Sequence, residues 1–350
     1  MPATVNYTPD GRPDGTPTYL FDQAKLYSKD PLLAARQWFA SAHLGLAAHF
    51  GLFSLLGTHE DARRRENWSY RDYNRLPERF QCQNFSASAI VELAIASGAR
   101  YICLPARWRD GFCLFGSAHS DFNSVKASAN RDLVGEIASW CEYHGLGLCL
   151  EYSCGHDWQR QAPGLPREEK DLLEYKEYIC SQLHELLTQY GPVAAIRLDG
   201  LEEILAAGRD GREGLGCQDL YDLIHTLQPP CLISFGKGAL GNEDFFHFEE
   251  ALPAEGTAEL GFAAHYPGRA RELRLSLTPG GLGFQAEQAG KHRRQPELWD
   301  HLQRVAARNG NLLLNTALLP DGSLDLEDIQ TLLEFGQTIE KNGLPPKSYS

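Results

Sequence analysis

The sequence predicts a single α/β domain folded as a (β/α)8 TIM-like barrel. Eight short apolar runs, at 44–50, 101–105, 146–152, 194–199, 231–235, 244–249, 272–277 and 311–315, recur along the 350 residues. Helical periodicity fills the intervals at 87–97, 133–144, 168–190, 219–228 and 297–308, and these stretches stop at Gly98, Gly145, Gly191-Pro192, Pro229-Pro230 and Gly310. Strands covered on both faces by crossover helices read as continuous apolar runs, so the alternation implies parallel strands. Eight such units close a barrel. An open doubly wound sheet would place a Gly-rich phosphate turn after its first strand, where this chain has His49-Phe50-Gly51-Leu52.

Residues 1–30 read as an N-terminal arm, irregular through the Pro/Gly-rich stretch 8–18, and 31–42 as an amphipathic helix ahead of the first strand. No good helix follows Phe235 or Glu249, so irregularity is expected around strands 5 to 7. A last helix at 326–341 leads into a short polar tail. One barrel domain over residues 1–350 is therefore expected.

The composition is that of an ordinary globular chain, 43% apolar and 23% charged. A formal charge of −13 argues against nucleic-acid binding, which needs clustered cations to neutralise phosphates. The short basic runs at 63–65 and 291–294 read as solvated faces. No stretch approaches the ~20 apolar residues of a membrane span, and residues 1–15 lack the apolar run of a secretory signal. The nine cysteines, among them Cys103, Cys149, Cys180 and Cys231 inside apolar or helical patterns, follow no zinc or disulfide spacing. These features point to a cytoplasmic chain with no metal site and no organic cofactor.

In a barrel the reactive groups lie at the C-terminal ends of strands. There the sequence offers His49, residues 107–110, Tyr152, Asp199, Lys237 and Glu249. Asp199 closes Ala-Ala-Ile-Arg-Leu-Asp and Glu249 closes Phe-Phe-His-Phe-Glu. An acid ending an apolar strand is costly to bury unless it is paired or reactive. A strand-end cap or ion pair explains either acid alone, but two carboxyls facing one cavity are what glycoside hydrolysis requires. His49 shares strand parity with Ala47 and faces inward, as a core histidine or a binding group. Trp68, Trp108, Tyr152 and Trp158 follow strands 1 to 3, and an aromatic-lined pocket suits the C–H faces of a sugar; packing is the plainer reading of each.

On these residues the chain resembles the α-L-fucosidases of glycoside hydrolase family 29. Residues 43–51 resemble the family's Lys-Phe-Gly-x-Phe-x-His-Trp-Gly and keep its histidine as His49. Gly98-Ala99-Arg100-Tyr101, the segment 110–117, residues 131–134, Tyr152-Ser153, and Gly310-Asn311-Leu312-Leu313-Leu314-Asn315 with Asp321-Gly322 match in order. Ile196-Arg197-Leu198-Asp199-Gly200 is similar to the family's Ile-Trp-Phe-Asp-Gly. The resemblance implies Asp199 as nucleophile and Glu249 as acid/base, with Glu250 as the substitute. It also implies that His49, Trp68, Tyr152 and Lys237 contact the sugar.

The family's Lys-His-His becomes Arg107-Trp108-Arg109, Phe50 and Arg197 stand where it has tryptophans, and Lys237 stands for an arginine. Trp108, Arg109 and Arg197 thereby join the candidate binding residues. The expectation is a retaining exo-glycosidase acting on α-L-fucosides or a related sugar, a catalytic barrel without the C-terminal β-sandwich usual in the family. The alternatives are a carbohydrate-binding barrel without turnover and a glycosidase for a different, anionic sugar. The last reading depends on Arg109, Arg197 and Lys237 being open to substrate, and the pairing of Arg197 with Glu249 or Glu151 is its rival.

Overall fold

The computed structural model describes residues 15–160, 169–200 and 214–347. Residues 1–14 of the N-terminal arm, the first residue of the 168–190 helix and residues 348–350 of the polar tail lie outside the described residues. All eight expected strands form, as β1 (Leu44–His49), β2 (Tyr101–Arg107), β3 (Gly147–Ser153), β4 (Ala195–Asp199), β5 (Leu232–Phe235), β6 (Phe245–Glu249), β7 (Ala270–Ser276) and β8 (Gly310–Ala317). They run parallel in one sheet of order β5-β4-β3-β2-β1-β8-β7-β6. Helices Ala87–Ala96, Leu133–His144, Glu169–Gln189, Cys217–Leu227, Gln295–Ala306 and Leu326–Asn342 cover the outside. Several begin on a side-chain cap that satisfies one of the free first-turn amides: Ser86 accepts from Ala89 N, Asp132 from Gly135 N and Asp325 from Glu327 N.

The circle closes between β5 and β6 by a short seam. Asp244 N donates to Ile233 O at 2.8 Å and His247 N to Gly236 O at 3.0 Å. The Asp244 carboxylate pins the same seam, accepting from Ile233 N at 2.8 Å and from Arg36 Nε at 2.8 Å. The expected irregularity is found here: β5 has only four residues, and after β6 comes a 3-10 segment, Ala258–His265, kinked at Gly261.

Helix Pro31–Ser41 closes the N-terminal end of the barrel. Its Trp38 meets Tyr19 edge-on at 4.7 Å and Tyr101 at 6.2 Å, and its Phe39 meets Phe245 at 4.3 Å. Trp38 comes so close to β3 that a Cβ on Gly147 would fall 2.4 Å from its ring. With one end plugged by aromatics, access is left to the C-terminal mouth, where the candidate groups sit.

Candidate active site

Between the floor and the mouth the barrel interior is charged rather than apolar. Alternate residues point inward along each strand, which brings Glu151 of β3, Arg197 and Asp199 of β4, Glu249 of β6, and Glu272 and Arg274 of β7 to one axis. Arg274 forks onto Glu249, Nε to Oε2 at 2.7 Å and Nη2 to Oε1 at 2.9 Å, and its Nη1 donates to Glu151 Oε2 at 2.7 Å. Arg197 donates to Glu249 Oε1 at 3.4 Å and pairs closely with Glu272, whose other oxygen accepts from Tyr101 Oη at 2.6 Å. Arg197 is 1% exposed and ion-paired with both acids. That is the ion-pair reading of this residue, with Glu272 rather than Glu151 as the second partner. It removes Arg197 as a cation open to an anionic sugar.

At the mouth Arg109, from the loop after β2, forks onto Asp199: Nε to Oδ2 at 2.9 Å and Nη2 to Oδ1 at 3.3 Å. Its Nη1 reaches Asp61 Oδ2 at 3.3 Å, and the guanidinium lies 5.2 Å from the Trp108 ring centre. A bulge between Pro105 and Arg107 makes this placement possible. It turns Arg107 outward to pair with Asp157 at 2.8 Å and lets the chain carry Trp108 and Arg109 over the opening. Asp199 keeps 18% of its side chain exposed and Glu249 keeps 44%.

His49, at the end of β1, is 1% exposed and packs edge-on against Trp108 at 4.5 Å. Its Nε2 is buried with no hydrogen-bond partner among the described residues. Burial, then the charges of Arg274 and Arg109, hold its imidazole well below the ordinary histidine range, so it is neutral. Glu249 is crowded by protein atoms despite its open side. Burial raises its carboxyl above the usual value by more than Arg274 and Arg197 lower it, and Glu151 adds to the rise.

The remaining candidates lie elsewhere. Tyr152 is fully buried on the outer face of β3, its hydroxyl accepting from Arg107 Nη1 at 2.8 Å and donating to Gln182 at 2.7 Å. It is a strut between strand and helix. Trp68 is half-buried and donates its indole N–H to Glu66 at 2.9 Å, while Lys237 is exposed on the loop after β5. Among the described residues no contact joins either to the Asp199 and Glu249 group. Glu250 has a positive φ of 59° and binds the Ser276 amide and Arg293 instead of Arg274.

Sequence reasoning missed several residues. Arg274 and Glu272 lie inside the run 272–277, away from the strand end that marks reactive groups. His156 follows β3 in Cys154-Gly155-His156, and burial followed by the Arg109 charge lowers it to about 4 while Asp199 and Asp61 raise it, which places it beside that pair. Its position three residues past the end of β3, directly after Gly155, was the available signal. Backbone packing also positions Asp199: Cys154 N and Gly155 N donate to its carbonyl at 3.0 and 3.1 Å.

A parallel eight-stranded barrel with partly exposed carboxylates ending β4 and β6 has the architecture of a glycoside-processing barrel. The family model described as α-L-fucosidase matches residues 22–344. The chain belongs to the α-L-fucosidase family. It is 29% identical to α-L-fucosidase 1 of Arabidopsis thaliana, over 78% of this chain and 56% of that protein. It is 32% identical to the plasma α-L-fucosidase of Rattus norvegicus, over 87% of this chain and 69% of the relative. The chain thus spans little more than half the length of the plant relative. Among solved structures, α-L-fucosidase isoenzyme 1 from Paenibacillus thiaminolyticus superposes with a TM-score of 0.78 at 25% identity, covering 89% of this chain and 77% of that one.

Proposed function

We propose that this protein is a retaining exo-glycosidase that hydrolyses α-L-fucosides or a closely related sugar through a covalent glycosyl-enzyme intermediate. The observation that carries the reading is the pair of partly exposed carboxylates, Asp199 and Glu249, ending β4 and β6 at the open end of the barrel. Asp199 attacks the anomeric carbon as Glu249 protonates the leaving oxygen. Glu249 then takes a proton from the water that releases the sugar. The raised carboxyl of Glu249 suits it to hold the proton the first step needs. The names of the relatives favour fucose as the sugar.

One observation favours a second reading, a carbohydrate-binding barrel without turnover: the Arg109 fork occupies both oxygens of Asp199. A panel of aryl α-L-glycosides separates the two. Turnover of the fucoside with retained anomeric configuration, abolished by Asp199→Asn, supports the enzyme. Fucose binding without release of the aryl group from any member of the panel overturns it.

A further inference from the structure

Arg109 holds two acids at once. Its Nε and Nη2 fork onto Asp199, and its Nη1 reaches Asp61 Oδ2 at 3.3 Å, on the segment between β1 and β2. The other Asp61 oxygen, Oδ1, is buried and has no hydrogen-bond partner among the described residues. A buried carboxylate oxygen without a donor is costly, so this acid carries an acceptor in reserve. The nearest cation in sequence does not fill it: Arg63 lies against the Tyr73 and Trp158 rings, 5.6 and 5.3 Å from their centres. Among the described residues Arg109 is the ion-pair partner of Asp61.

The backbone on both sides of this pair is held in place. Trp108 donates its indole N–H to Glu60 O at 3.3 Å, which joins the residue before Arg109 to the residue before Asp61. The Glu60 carboxylate in turn accepts from Leu282 N and Gly283 N at 2.9 and 3.1 Å, on the loop after β7. Asp61 N donates to His59 Nδ1 at 3.0 Å, and Arg109 O accepts from Trp158 N at 3.2 Å. The Arg109 side chain, 26% exposed, keeps room to turn between the two acids.

We propose that Asp61 is a positioning residue for the covalent step: it takes over the Arg109 guanidinium when Asp199 gives up its charge. The inference rests on the nucleophile role proposed above for Asp199. In that step a bond forms between an Asp199 oxygen and the anomeric carbon as the glycosidic bond breaks. The electron pair of the broken bond leaves with the aglycone oxygen, which receives the proton of Glu249. The Asp199 carboxylate becomes a neutral ester with one oxygen engaged, so the fork loses its countercharge and one of its acceptors together. An Arg109 left without an anion would raise the energy of the intermediate. Asp61 already touches Nη1 and has Oδ1 unfilled, and a guanidinium matches a carboxylate through two parallel bonds. A turn of the one side chain seats Nη1 and Nη2 there.

Asp199→Asn removes the same charge without any sugar and reads the seat directly. In a crystal structure of that variant Arg109 should bond both oxygens of Asp61. An Arg109 still forked onto side chain 199, or turned away from both residues, overturns the proposal. Kinetics supplies the second measurement, on an aryl α-L-fucoside, where kcat/KM reports the steps through ester formation. It should fall about tenfold in Asp61→Asn, and no further in the double variant Arg109→Ala with Asp61→Asn than in Arg109→Ala alone, because Asp61 acts only through Arg109. Losses that multiply in the double variant give Asp61 a separate role and overturn the proposal, as does an unchanged or raised kcat/KM in Asp61→Asn. If the wild type turns over no aryl glycoside, the nucleophile reading falls, while Arg109 seated on Asp61 in Asp199→Asn leaves the exchange of partners standing.

Discussion

The Arg109 guanidinium holds both carboxylate oxygens of Asp199, at 2.9 and 3.3 Å, and lies 5.2 Å from the ring centre of its neighbour Trp108. The fork fixes the direction of both Asp199 lone-pair sets, and a sugar entering the mouth must share the carboxylate with it. Arg109→Ala should lower kcat on an aryl α-L-fucoside by about ten- to a hundredfold through loss of this orientation. The stability loss should be about 1–3 kcal/mol, because the pair is only 26% and 18% exposed and the variant leaves Asp199 without its cation. Steady-state kinetics with a melting curve checks both. A rise in kcat would show that the fork restrains the nucleophile rather than aiming it.

His49 offers a buried Nε2 without a protein partner, which a sugar hydroxyl would satisfy. His49→Phe keeps the packing against Trp108 and removes that bond, so kcat/KM should drop about five- to 150-fold, equivalent to roughly 1–3 kcal/mol. Unchanged kinetics would return His49 to a purely structural role.

The same variant carries a pH signature. The folded-state value of His49 lies well below the ordinary histidine value, so the unfolded chain takes up the proton first as pH falls. The residue's stabilising contribution is complete above about pH 6.5 and is lost below it at about 1.4 kcal/mol per pH unit. In His49→Phe the decline in unfolding free energy between pH 6.5 and 5 should be shallower by about one bound proton. Denaturant titrations at a series of pH values supply the slopes, and equal slopes in the two proteins would contradict the assignment.

Gly155 and Gly200 touch: a Cβ on Gly155 would fall 1.9 Å from Gly200 O. Only glycine lets the β3 loop approach closely enough for Cys154 N and Gly155 N to bond Asp199 O. Gly155→Ala should displace Asp199 by a fraction of an ångström or more and cut kcat about a hundredfold. Retention of full activity would show that the loop yields without moving Asp199.

At the seam, Asp244 ties Ile233 N, Arg36 and His225 together with a fully buried carboxylate. Asp244→Ala should cost roughly 3 kcal/mol, the low end for breaking a buried pair because Arg36 is 43% exposed. Tm should fall by about 4 °C. Hydrogen exchange should quicken first in β5 and β6, and uniform loss of protection across all strands would contradict a local seam.

The barrel is legible in the chain because each strand is a short, largely apolar run and nearly every helix carries its own stop; all eight strands form within two residues of where those signals put them. The sequence also singled out Asp199, Glu249, His49 and Arg109, since residues at strand ends reach the mouth whatever their neighbours do. Which charges meet is settled by the folded barrel. Strand parity sends Arg197 and Arg274 to one axis, but whether Arg197 takes Glu151 or Glu272 depends on register and barrel closure, which join β4 to β7 across the interior. Tyr152 shows the same limit from the other side: its position at the end of β3 suggested the pocket, while the single-residue bulge in β2 and the packing of helix Glu169–Gln189 turned its surroundings into a buried strut. Local pattern encodes which face of a strand a residue occupies; the partner it finds across the barrel is a long-range choice, made when the sheet closes and buried charge has to be matched.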